Sequence, residues 1–129
     1  MAPEGGNMTG YTANIEEITQ QNTNFRQVLY TGTYAQLVAM SLLKDEEIGM
    51  EVHKTVDQFF RIESGTAKII MNGEETTLTD GMVAVVPAGV EQNLINVGPG
   101  SLKLYTIYSP PNHPVGTIHK TKAEAMAAE

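Results

Sequence analysis

Residues 49–65 read GMEVHKTVDQFFRIESG, which is the pattern of a strand, a short turn and a second strand. Side chains alternate between the two faces of a strand, so Glu51 and His53 point the same way, about 7 Å apart along the chain. In the second strand Gln58 shares a face with Phe60, and the aromatic ring marks that face as the buried side. We therefore expect a carboxylate, an imidazole and an amide to converge on one partly apolar surface.

A second stretch, GMVAVVPAGVEQNLIN at residues 81–96, predicts the opposite wall of the same site. A run typical of a buried strand ends at Pro87, and an Ala-Gly turn follows. In the next strand Gln92, Leu94 and Asn96 share a face. Gln92 is therefore a candidate fourth member of the cluster.

The spacing in the first stretch resembles the first motif of the cupin superfamily, whose members are small barrels built as a double-stranded β-helix. That motif runs His-x-His, four residues, Glu, six residues, Gly. Here the same positions hold Glu51, His53, Gln58 and Gly65. The resemblance extends over about residues 25–125.

The spacing in the second stretch is similar to the second cupin motif. That motif runs Gly, five residues, Pro-x-Gly, two residues, His, three residues, Asn. Here the positions hold Gly81, Pro87, Gly89, Gln92 and Asn96. Together the two motifs imply an all-β fold, a cupin jelly-roll barrel, to which the sequence adds short terminal helices.

The resemblance also implies a divalent metal site, because in cupins the two His, the Glu and the last His bind metal. The corresponding positions are Glu51, His53, Gln58 and Gln92, and only His53 keeps the family residue. Amide oxygens carry no charge and are weak ligands for metals that favour imidazole. We therefore expect a weakly held ion, Mn, Fe, Ni, Cu or Zn, beside a small organic ligand, with or without catalysis.

Two other functions fit the same residues. Glu51 and His53 could be catalytic without metal, because a carboxylate–imidazole pair in a largely apolar interior can carry out acid–base isomerisation or elimination near neutral pH. The barrel could also be a non-catalytic module that binds a ligand. In a purely structural interpretation, Glu51 and His53 form a hydrogen-bonded ion pair, since a buried carboxylate needs a partner.

The composition limits the partners of this chain. It has 129 residues, which suits one domain, and a net charge of −7, which argues against nucleic acid and anionic membranes. It has no cysteine, no long apolar run and no signal-peptide pattern at its start. These features predict a cytoplasmic protein, and the site described above makes a small molecule its expected partner.

The order of the segments predicts a flexible N terminus at residues 1–12 and a single barrel domain at residues 13–129. Asn14 either caps a short helix or lies in a strand. Strands are expected at residues 26–31 and 34–43. Later in the chain, Asn-Gly in a hairpin, a strand ending at Tyr108 and a final capped helix complete the pattern.

Several side chains outside the motifs also carry expectations. Four methionines of the predicted strands are expected in the core rather than at a copper site, namely Met40, Met50, Met71 and Met82. Phe59 is adjacent to Phe60 and so faces outward, which favours a homodimer formed through an outer sheet face, as is common among small cupins that this chain resembles. His113 and His119 lie in an irregular tail that is either exposed to solvent or crosses the mouth of a barrel.

Overall fold

Ten strands form two antiparallel sheets in the computed structural model, which describes residues 9–128. The strands are β1 (Arg26–Thr31), β2 (Gln36–Leu42), β3 (Glu51–Val52), β4 (Asp57–Ser64), β5 (Ala67–Met71), β6 (Glu74–Leu78), β7 (Val83–Val86), β8 (Glu91–Asn96), β9 (Leu102–Ser109) and β10 (Ile118–His119), and the helices are α1 (Ile15–Gln21) and α2 (Lys122–Ala127). One sheet has the order β10-β1-β2-β9-β4-β7 and the other β3-β8-β5-β6. This confirms the predicted all-β cupin barrel with short terminal helices.

The core follows from period-two alternation along the central strands. In β9 the burial pattern alternates strictly over Leu102, Leu104, Thr106 and Tyr108. Because strand side chains alternate, these four residues face the interior of the barrel. Most of the buried side chains are aliphatic, so hydrophobic burial is the main force that holds the two sheets together.

One cross-section of this interior is polar. Tyr108 of β9 lies opposite Gln36 of β2 on one side and opposite Gln58 of β4 on the other. All three side chains are almost completely buried. Buried polar groups require hydrogen-bond partners, so this cross-section is where we expect a polar network.

The predicted strand before His53 is interrupted at Gly49. Unbroken period-two alternation would place Ile48, Met50 and Val52 on one face, but Ile48 packs against the core while Met50 and Val52 are exposed. Gly49 has a φ of 109°, which lies outside the extended region, so the alternation restarts after it. Regular pairing is consequently confined to the two residues of β3.

The first described elements settle an open alternative. Asn14 caps α1, and its side-chain oxygen accepts a hydrogen bond from the Glu17 N–H at 3.1 Å, so this segment is a helix and not a strand. Strand β2 is shorter than expected because residues 32–35 turn, with the Gly32 N–H bound to the Ala35 carbonyl. The predicted flexibility of residues 1–8 falls outside the described residues.

The methionine prediction was correct in part. Met40 is fully buried and Met71 packs against the core, but Met50 and Met82 are exposed. Met50 follows the break at Gly49, and the sulfur of Met82 lies in the turn that precedes β7, where it accepts a hydrogen bond from Thr79. Across residues 9–128, every helix is too short or too polar to cross a membrane.

Candidate active site

Glu51 and His53 lie side by side at the entrance to the barrel. Glu51 belongs to β3 and His53 follows it, and the Glu51 Oε1 atom lies 3.2 Å from the His53 Nε2 atom. Their side chains are 33% and 14% exposed, respectively. An ionised carboxylate only accepts hydrogen bonds, so the imidazole Nε2–H donates. The pair is thus preorganised and still reachable from solvent.

The side-chain amides of Gln58 and Gln92, both predicted site residues, belong to a chain of hydrogen bonds next to this pair. Gln92 Nε2 donates to Gln58 Oε1 at 2.9 Å, and Gln58 Nε2 donates to Thr106 Oγ1 at 3.0 Å. All three side chains are buried. Strand β3 pairs with β8 so that Glu51 lies opposite Gln92. The structure therefore brings the four predicted residues together in one contiguous group, although their chemical roles stay predictions.

Tyr108 is a member of the site that we did not single out from the sequence. Burial raises the pKa of Tyr108 to about 12, a shift that the nearby Arg26 guanidinium partly opposes. The phenol is therefore neutral at physiological pH. Its ring meets the imidazole of His53 edge-on, with 5.9 Å between ring centroids. The alternation of β9 could have identified Tyr108 as an inward-facing residue.

The C-terminal segment covers this end of the barrel. Gln36 holds the segment in place, because its Nε2 donates to the His113 carbonyl at 2.7 Å and its Oε1 accepts the N–H groups of Asn112 and His113. His113 Nε2 lies 3.3 Å from the Tyr108 hydroxyl. The expectation of solvent-exposed tail histidines is therefore wrong, since both His113 and His119 are partly buried.

The environment of His113 disfavours its protonation. Burial, together with the positive charge of Arg26, lowers the pKa of His113 to about 4. His113 is consequently neutral at physiological pH. The hydrogen bond between His113 Nε2 and the Tyr108 hydroxyl therefore joins two neutral groups.

Arg26 is the second residue that the sequence did not reveal. Strand β10 pairs with β1 so that His119 lies opposite Arg26, and Arg26 Nη1 is 3.2 Å from His119 Nδ1. A guanidinium only donates hydrogen bonds, so His119 Nδ1 accepts and the imidazole proton lies on Nε2. The sequence separation of 93 between Arg26 and His119 leaves no local sequence signal for this contact.

Comparison with known proteins agrees with this geometry. The family model described as "Cupin domain" matches residues 38–108. The chain belongs to the cupin family. It is 48% identical to the uncharacterized protein YrkC of Bacillus subtilis over 125 residues, which cover 92% of this chain and 67% of YrkC. It is 45% identical to the uncharacterized protein L612 of Acanthamoeba polyphaga mimivirus over 112 residues, 84% of this chain and 70% of L612.

A solved structure shares nearly the whole fold of this cupin. The crystal structure of BH2720 from Bacillus halodurans superimposes with a TM-score of 0.93 at 39% sequence identity, covering 96% of this chain and 98% of BH2720. The cupin interpretation therefore extends beyond the two motifs to the covering C-terminal segment.

The site residues of this cupin do not fit a tightly held metal ion. No group of three or more His, Cys, Asp or Glu side chains in residues 9–128 is placed to hold one. The amides that replace the family ligands bind one another, because the Gln58 oxygen accepts from Gln92 and the Gln58 nitrogen donates to Thr106. Only Glu51 and His53 are strong ligands, whereas metal sites in proteins usually have at least three.

Proposed function

We propose that this cupin binds a small organic molecule at the mouth of its barrel and that Glu51 and His53 move a proton on it. The observation that carries the proposal is the 3.2 Å contact between the two side chains at a position that solvent reaches. A base must lie within hydrogen-bond reach of its proton, and a preformed acid–base pair meets this condition without a metal.

The reaction class follows from the groups available. A substrate with an enolisable carbonyl could give its α-proton to the Glu51 carboxylate, while protonated His53 donates a proton to the carbonyl oxygen. The product of this step is an enol. If Glu51 then returns the proton to a different carbon of the substrate, the net reaction is an isomerisation. Neutral Tyr108 and the two buried amides lie close to the acid–base pair and add no charge to it.

Solvent exchange tests this function directly. In deuterated buffer, we expect the protein to accelerate exchange of the α-protons in a panel of small ketones and keto acids, followed by proton NMR. Glu51→Gln keeps the shape of the side chain and removes the base, so the acceleration should fall by about 100-fold or more. Glu75→Gln, on the exposed strand β6, is the matched control and should be as active as wild type. Equal activity in Glu51→Gln would end the acid–base proposal.

A weakly held divalent ion is a second candidate, because Glu51 lies directly opposite Gln92 in the β3–β8 register. The ion would be Mn, Fe, Ni, Cu or Zn, with Glu51 and His53 as its strong ligands and the two amides as weak ones. Gln92→His would supply a third strong ligand, so we expect it to lower the dissociation constant for Zn²⁺ in calorimetric titration. An unchanged dissociation constant would show that position 92 cannot reach an ion held by Glu51 and His53.

A further inference from the structure

Arg26 is a buried cation without a counterion in the described chain. The residue is only 5% exposed. None of the ion pairs within residues 9–128 includes it. Its known neighbours are neutral, namely His119 at Nη1, the phenol of Tyr108 and the ring of Phe25. Its Nε atom is buried and has no hydrogen-bond partner. An uncompensated buried charge is costly, which points to a missing anion.

A cavity lies beside this cation. It has a volume of about 150 Å³, and Arg26, His113, Thr117, His119 and Ala125 are among the residues that line it. An engineered apolar protein cavity of about the same volume binds benzene, so this cavity can accept a ligand of about six non-hydrogen atoms. The cavity lies between β1 and the C-terminal segment. Glu51 and His53 do not line it, although Tyr108 contacts both places.

The charge of the cavity suits a monoanion. His113 is neutral, because burial and Arg26 lower its pKa to about 4. His119 is also neutral when its Nδ1 accepts from Arg26, and its Nε2–H remains as a further donor. One guanidinium thus supplies the only full positive charge among these lining residues. The guanidinium fork matches the two oxygens of a carboxylate.

We propose that this cavity binds the carboxylate of a small monocarboxylic acid, held by the Arg26 guanidinium with the His119 imidazole as a second donor. The methyl group of Ala125 contacts the short hydrocarbon part of the ligand. This site is separate from the acid–base pair, so the proposal stands or falls independently of the proposed function.

Propionate is the probe, because its five non-hydrogen atoms fit the cavity. We expect saturable shifts of the Thr117 and Ala125 amide signals in ¹⁵N NMR when propionate is titrated, and no saturable shift with the neutral isostere propionamide. Arg26→Met should weaken propionate binding by roughly 10- to 100-fold, as expected when hydrogen bonds to a charged group are lost. Arg26→Lys keeps the charge without the fork and should fall between wild type and Arg26→Met.

Two further variants keep the test decisive if Arg26→Met does not fold. Ala125→Val fills the cavity without changing any charge and should abolish binding, whereas Glu51→Gln removes the acid–base pair and should not weaken it. Absence of saturable shifts in the wild-type protein would overturn the proposal, as would full binding by Ala125→Val. Inorganic phosphate binding as tightly as propionate would overturn the assignment to a carboxylate.

Discussion

Tyr108 connects the Glu51–His53 pair to the C-terminal segment. His113 Nε2 lies 3.3 Å from the phenol oxygen, and the ring of the same tyrosine meets the His53 imidazole edge-on. Burial keeps both the phenol and His113 neutral at physiological pH. One hydrogen bond between two neutral groups therefore joins the C-terminal segment to the barrel interior, in addition to the three bonds from Gln36.

The lowered pKa of His113 predicts a loss of stability in mild acid. His113 has a pKa of about 4 in the folded chain and near the ordinary histidine value of 6.5 when unfolded. Between these pH values the unfolded state binds more protons than the folded state, so the free energy of unfolding decreases as the pH falls from 6.5 to 4. Urea denaturation at several pH values in this window should show the decrease, and it should be smaller in His113→Gln.

Comparison of the wild-type protein with His113→Gln separates the effect of His113 on stability from the effects of other titrating groups. Carboxylates also gain protons in this pH window, and His53 and His119 lie near His113, but all of these groups are present in both chains. Only the difference between wild type and His113→Gln is assigned to His113. Identical pH dependence in the two chains would contradict the buried, neutral state of this imidazole.

At the scale of elements, Asn96 fixes the end of β8 against the end of β2. Its Nδ2 donates to the carbonyls of Leu42 at 3.1 Å and Gly100 at 2.8 Å, and its Oδ1 accepts the Gly98 N–H at 3.0 Å. The side chain is buried, so water cannot replace these bonds. Asn96 thus links the two sheets and sets the position of the strand that carries Gln92.

Asn96→Ala should consequently destabilise the barrel. Three carbonyls, including that of Leu43 at 3.1 Å from Nδ2, and one N–H would lose a hydrogen-bond partner, and we expect the free energy of unfolding to fall by about 3 kcal/mol in urea denaturation. Asn112→Ala is the matched control, because Asn112 is exposed and only its backbone N–H is bonded, so its effect should stay within about 0.5 kcal/mol. Similar effects of the two substitutions would mean that Asn96 has no special role in joining the sheets.

The strand pattern explains how much of the site could be predicted. Period-two alternation and motif spacing were sufficient to group Gln58 and Gln92, because both lie within regular strands whose inward face is marked by apolar neighbours. Alternation failed at Gly49, where a positive φ reverses the facing of the residues before it. Arg26 was missed because its partner His119 comes from the opposite end of the sequence, and pairing of such distant segments is set by the whole fold.

At the scale of the whole molecule, an apolar row crosses the outer face of the six-stranded sheet. Strand register places Val85, Phe59, Ile107 and Leu37 in one row across β7, β4, β9 and β2. Val85 is 56% exposed. A groove of about 390 Å³, lined in part by Leu37 and Ile107, continues this face. Contiguous apolar surface of this kind in a soluble protein marks an interaction site.

A second copy of the chain is the partner that we expect on this face. The outer row is bounded by β7, which in the described chain pairs only with β4, and an open sheet edge invites further pairing. A two-fold axis lets the same patch cover itself on both copies, which is the commonest way for a soluble chain to bury such a surface. The net charge of −7 opposes close contact elsewhere, whereas the row from Val85 to Leu37 carries no charge.

Light scattering coupled to size-exclusion chromatography would measure the predicted homodimer as the mass of two chains. Val85→Glu places a charge at the β7 end of the buried patch, so we expect it to shift the protein to the mass of one chain. Val97→Glu is the matched control, because Val97 has a similar exposure of 46% but lies in the loop after β8, away from the patch. The dimer should persist in Val97→Glu. A wild-type protein with the mass of one chain, or equal dissociation by both substitutions, would rule out this face as the contact between copies.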